Sequence, residues 1–137
     1  MAKRRIVAVA AMIATALVGL FATPAAAARH PMMGPYDGIC DNYEICLYYN
    51  SNWQGSVADF ASSVPDFAGK VFKGPGAGKG QGVKNNAASA CNYNPNYVAV
   101  VYFNSWYSGR ADVIPPGECE NLLITYNENA SVKWAPL

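Results

Sequence analysis

The side chains that could do chemistry in this chain are few. Four cysteines, Cys40, Cys46, Cys91 and Cys119, stand beside a single histidine, His30, near the start. Nucleophilic catalysis of the Ser-His-Asp or Cys-His kind needs an imidazole to take the nucleophile's proton, and no histidine follows position 30. A structural zinc site calls for C-x-x-C spacing with further thiol or imidazole ligands, and that spacing is absent. Asp59, Asp112, Glu118 and Glu120 are left for acid–base work, but scattered acids of this kind are ordinarily solvated. The pair Gly78 and Lys79 inside "GPGAGKGQG" invites comparison with a phosphate loop. It fails, because Lys73 stands where the first glycine belongs and Gly80 where the metal-binding hydroxyl belongs. The chain therefore reads as no enzyme, and its cysteine chemistry as disulfide formation.

Oxidation of those thiols requires export, and the N-terminus supplies it. Lys3, Arg4 and Arg5 precede an apolar run over residues 6–22, then Pro24 and the small residues 25–28, the pattern of a secretory signal with cleavage after Ala28. The expected organisation is a signal peptide at 1–28 and one domain at 29–137, secreted and extracellular. No later run is apolar enough to span a bilayer, so no membrane contact is expected after cleavage, and a monomer is expected. Three of the ten basic residues leave with the signal, and seven then face nine acidic ones, a net charge of −2. That balance argues against a nucleic-acid partner. In an oxidising compartment four cysteines form two disulfides by default, with three pairings open. Cys40 with Cys46 as a local staple and Cys91 with Cys119 as a longer link is the favoured one.

The elements that must position these groups are announced by a repeat. "YYNSNWQG" at 48–55 returns as "YFNSWYSG" at 102–109, an offset of 54. Around the first copy, alternation at 45–49 and 56–60 reads as two hairpin strands. The second copy repeats the plan at 98–103 and 110–114. Further strands are expected at 70–73, 87–92, 122–126 and 131–134. A second shared phrase, "NNAAS" at 85–89 and "NENAS" at 127–131, has an offset of 42, so the first copy holds twelve extra residues. That excess falls on the glycine-rich stretch 74–82, which reads as an exposed, flexible loop. Eight short strands without helical periodicity predict an all-β sandwich of two related halves.

Tyr48, Trp53 and Gly55 recur at the same spacing as Tyr102, Tyr107 and Gly109. Aromatics that cover a folded hairpin, with a glycine where the backbone takes positive φ, resemble the signature of the βγ-crystallin superfamily. The resemblance implies two Greek-key motifs, at about 38–92 and 96–137, forming one βγ-crystallin-like sandwich. It also implies a weak calcium site, through the carbonyls of Ala87 and Asn129 and the hydroxyls of Ser89 and Ser131; no other cofactor is expected.

Within that superfamily, the exported four-cysteine form carrying "VKNNAAS" and "VVYFN" resembles the secreted bacterial metalloproteinase inhibitors, whose best-known member blocks thermolysin-type zinc peptidases. The partner this implies is an extracellular peptidase, met by an exposed loop on a disulfide-stapled scaffold. The family's cysteine–valine inhibitory bond does not carry over, since Asp41, Leu47, Asn92 and Glu120 follow the four cysteines. The expected loop is instead Pro115, Pro116, Gly117 and Glu118, stiffened by its prolines and by Cys119. The alternative is a calcium- or glycan-binding extracellular module without inhibitory activity, its sugar face drawn from nine tyrosines and three tryptophans, with Trp106 the one expected to be exposed.

Overall fold

A computed structural model describes residues 35–137; His30 and the expected signal peptide lie outside the described residues. The strands are β1 (Ile45–Tyr48), β2 (Val57–Phe60), β3 (Ser89–Asn92), β4 (Tyr97–Asn104), β5 (Ser108–Ile114), β6 (Cys119–Asn121) and β7 (Ser131–Pro136), with no helix among the described residues. Alternation works as the sequence suggests. On β1, Ile45 and Leu47 join the main core while Cys46 and Tyr48 pack on the opposite face.

Two antiparallel sheets result, with orders β2-β1-β3-β6 and β5-β4-β7. The first sheet holds three strands of the first repeat and one, β6, of the second. The exchange is reciprocated: Val64 of the first repeat bridges Val132 on β7, with Val64 N donating to Val132 O at 2.8 Å and Val132 N to Val64 O at 3.0 Å. Each repeat thus lends its third segment to the other's sheet, the threading of paired Greek keys. Next to the exchange, Phe67 N donates to Ala130 O at 2.8 Å and Leu122 N to Ala88 O at 3.0 Å. Phe67 and Leu122, 0% and 1% exposed, belong to one shared core. Truncating either to alanine would cost about 2–5 kcal/mol, a penalty borne by both halves.

Cys40 is bonded to Cys46 and Cys91 to Cys119. Cys91 and Cys119 are direct cross-strand partners on β3 and β6, so this bridge ties the first repeat to the strand lent by the second. Cys46 is in turn the partner of Cys91 across β1 and β3. Both disulfides therefore lie side by side with Val57 and Tyr48 on the outer face of the first sheet.

Three expectations are corrected. The run 122–126 is not a strand; pairing ends at Asn121, and the expected strand at 70–73 is reduced to a Val71–Gly82 bridge. The stretch 74–82 is not a loose loop either. Phe72 N bonds Gln81 O at 2.9 Å, Gly80 N bonds Phe72 O at 2.8 Å and Ser56 N bonds Ala77 O at 2.8 Å. Two of its glycines are required by contact: a Cβ on Gly74 would collide with Val57, and one on Gly78, whose φ is +88°, with the ring of Tyr49.

Candidate functional site

The two repeated phrases fold into matching hairpin tips. Asn52 and Trp53 take φ of 56° and 58°, and Trp106 and Tyr107 take 62° and 59°. Gly55 and Gly109 follow at 80° and 83°. One serine pins each tip. Ser89 Oγ donates to Asn50 O at 2.7 Å and accepts from Trp53 N at 3.0 Å; Ser131 Oγ donates to Asn104 O at 2.7 Å and accepts from Tyr107 N at 3.1 Å. Tyr102 and Tyr107 meet edge to face at 6.2 Å. The copies differ at their summits. Asn52 is locked to Asn121, its N–H donating to Asn121 Oδ1 at 2.7 Å, whereas Trp106, at the equivalent position, ties only its backbone, to Pro65 O at 2.6 Å. Trp106 is 73% exposed.

The oxygens expected to hold calcium are engaged within the fold. Ala87 O accepts from Asn129 Nδ2 at 2.7 Å and Asn127 N at 3.0 Å, filling both lone pairs. Asn129 O accepts from Asn85 N at 2.7 Å. Ala87, Ser89, Asn129 and Ser131 are all fully buried. Calcium takes 6–8 oxygens, and a carbonyl ringed by N–H donors presents positive charge toward an incoming cation.

The residues expected to form the inhibitory loop close into a tight turn. Glu118 N donates to Pro115 O at 3.2 Å and Gly117 takes φ of 74°, the positive value that position i+2 of a type II turn requires. Gly117 N and Glu118 O both pair with Asn92. These bonds fold the segment into a turn. Pro115, Gly117 and Glu118 are exposed, Pro116 partly so.

Among the acids, Asp112 does what sequence reading misses. On β5, its carboxylate accepts from three successive amides and one hydroxyl of the loop between β6 and β7. Oδ1 takes Leu123 N at 3.2 Å and Ile124 N at 3.1 Å; Oδ2 takes Ile124 N at 3.1 Å, Thr125 N at 2.8 Å and Thr125 Oγ1 at 2.8 Å. No local sequence signal marks it, because its partners lie eleven to thirteen positions away. Asp59 acts similarly, accepting Asp37 N at 2.9 Å and Gly38 N at 2.7 Å. Asp66 accepts Ala68 N and pairs with Lys84 at 2.9 Å, and both lower its pKa. Lys84 also reaches Ser105 Oγ at 3.0 Å, steadying the second hairpin tip. Glu44 is buried, which raises its pKa above its ordinary value; the N–H of Asp41 opposes this, and Asp59, Asp41 and Asp37 add to it. The described residues contain no cluster of three or more metal-binding side chains.

The architecture is that of the βγ-crystallin domain. A structure solved in work on the evolution of the eye lens βγ-crystallin domain fold superposes with a TM-score of 0.58 at 20% identity, over 73% of this chain and 95% of that one. The N-terminal domain of Protein S gives 0.52 at 21% identity, over 69% and 97%. A βγ-crystallin from Ciona intestinalis gives 0.50 at 18%, over 67% and 99%. These likenesses define the fold alone. Residues 35–114 match the model of peptidase inhibitor family I36, and the chain belongs to that family. No curated protein matches it.

Proposed function

We propose that this protein is a secreted inhibitor of extracellular metallopeptidases, acting through an exposed loop held rigid on a disulfide-stapled scaffold. The observation that carries the reading is membership of a peptidase inhibitor family. Its physical support is preorganisation. An inhibitor binds tightly when little conformational entropy is left to lose, and here two disulfides, interlocked sheets and serine-pinned hairpins do the ordering beforehand. The disulfides also fit an oxidising, extracellular setting.

The test is an inhibition titration of the oxidised, signal-free protein against a thermolysin-type zinc peptidase, with a serine peptidase beside it. Saturable loss of zinc-peptidase activity alone is the expected outcome. Inhibition of the serine enzyme alone would move the target class, and inhibition of neither at micromolar protein would remove the reading.

One observation favours a second reading as a glycan-binding module: the indole of Trp106 stands clear of the surface, as a sugar-stacking residue would. Quenching of tryptophan fluorescence by soluble glycans, lost in Trp106→Ala, would support it. Calcium is the weaker part of that alternative, and millimolar calcium is expected to leave the melting temperature unchanged.

A further inference from the structure

Building on the inhibitory reading, we propose that the loop 122–126 is the segment that enters the target peptidase, with Leu123 as the anchor inserted into an apolar specificity pocket. The run Leu122-Leu123-Ile124-Thr125-Tyr126 has strand composition, yet the fold denies it a place in either sheet. Leu122 alone reaches the core. Leu123 is 85% exposed, Ile124 40% and Tyr126 49%, and Val113, next to the clamping Asp112, is exposed as well. Single exposed apolar residues are ordinary. Three within four positions, on a loop held in place rather than left to collapse, are a presented surface.

The holding is what distinguishes this loop. Asp112 takes the amides of Leu123, Ile124 and Thr125 together with the Thr125 hydroxyl. Upstream, Leu122 N is bonded to Ala88 O, and β6 is joined to β3 by the Cys91–Cys119 bridge. Downstream, Thr125 O accepts Glu128 N at 2.9 Å and Asn129 Nδ2 at 2.8 Å. Thr125 itself is fully buried. The backbone is fixed on both sides of an exposed branched aliphatic side chain, so docking that side chain orders little that is not already ordered.

The occupant follows from the family and from the side chain. A peptidase whose specificity pocket accepts branched aliphatic residues has the apolar, concave surface that Leu123 fits, and no charge within 122–126 has to be desolvated on entry. The turn at 115–118 offers two prolines, a glycine and an acid, with no apolar anchor. Trp106 stands alone between Ser105 and Tyr107, the latter folded against its own hairpin.

The experiment titrates a thermolysin-type zinc peptidase with the oxidised wild-type protein and with Leu123→Asp, Asp112→Asn, Trp106→Ala and Pro116→Ala. Leu123→Asp is expected to raise the inhibition constant at least 100-fold and Asp112→Asn about tenfold, with Pro116→Ala and Trp106→Ala within twofold. Because Leu123 is exposed, its variant keeps the wild-type melting temperature, which a thermal scan checks. Amide hydrogen exchange at Leu123, Ile124 and Thr125 is expected to be slow in the wild type and fast in Asp112→Asn. A wild type that inhibits while Leu123→Asp inhibits equally well would overturn this assignment and leave the inhibitory reading standing. Fast exchange at those amides in the wild type would overturn the clamp and the proposal with it. A wild type that inhibits nothing overturns both.

Discussion

At residue scale, two side chains sit where their chemistry is disfavoured. Trp106 holds φ of 62° with its indole in solvent. A bulky residue in the left-handed region carries strain of about 1–3 kcal/mol, and packing here offsets little of it. The first repeat places Asn52 at the equivalent position with φ of 56°, and asparagine tolerates that region well. Trp106→Asn is therefore expected to stabilise the fold by about 1 kcal/mol, read as a rise in melting temperature; no rise would mean the indole makes compensating contacts. Glu44 is the second case. Its pKa is raised above its ordinary value of 4.5, chiefly by burial. A carboxyl with a raised folded-state pKa binds its proton more tightly in the folded chain. Its contribution is then fully present below the unfolded value and lost as pH rises through the folded one. Glu44→Gln keeps an acceptor for Asp41 N and cannot ionise. It is expected to melt above the wild type at pH 7, with the advantage vanishing below about pH 4, near the unfolded glutamate value.

At the scale of elements, the glycine-rich stretch is a seat for the first hairpin. Its twelve-residue excess over the second repeat looks like slack in the sequence. In three dimensions the ring of Tyr49 lies directly over Gly78. Gly80, with φ of +83°, has nothing within 4 Å of an added Cβ, whereas Gly78 at +88° meets that ring. Gly80→Ala is thus expected to cost about 1 kcal/mol from backbone strain alone, and Gly78→Ala about 2 kcal/mol more through overpacking. Chemical denaturation of the two variants separates these contributions; equal losses would show that Tyr49 swings away freely. The run 122–126 teaches the complementary lesson. Its residues favour a strand, but Asp112, eleven to thirteen positions away, captures the amides that a ladder would have used. Composition cannot announce a competitor that arrives from another strand.

At the scale of the molecule, the repeats are interlocked by exchange of their third segments and by one cross-strand disulfide between them. Loop-closure entropy in the unfolded chain gives about 3.5 kcal/mol for the Cys91–Cys119 link, which spans 28 positions, and about 2 kcal/mol for Cys40–Cys46, which spans 6. Paired replacement of Cys91 and Cys119 by serine should therefore lower stability more than the same change at Cys40 and Cys46, as measured by denaturant midpoints. The reverse order would show that the long link is already ordered in the unfolded chain. Because the halves share one core around Phe67 and Leu122, unfolding is expected to remain a single transition.

The amino-acid sequence by itself determined the duplication, its aromatic and glycine spacing, the four thiols and the missing imidazole. These are matters of residue identity and short-range geometry: left-handed φ values at 55 and 109, and alternation along β1 and β4, follow from neighbours a few positions away. Only the tertiary structure decided that 74–82 is hydrogen-bonded in place, that 115–118 closes into a turn, that the carbonyls of Ala87 and Asn129 accept bonds from Asn85, Asn127 and Asn129, and that an apolar run is held outside the sheets by Asp112. Each of those outcomes rests on a hydrogen bond or a steric contact with a partner distant in sequence or on another strand. Such partners compete for the same backbone groups that local propensity would assign elsewhere, and folding alone brings them within reach.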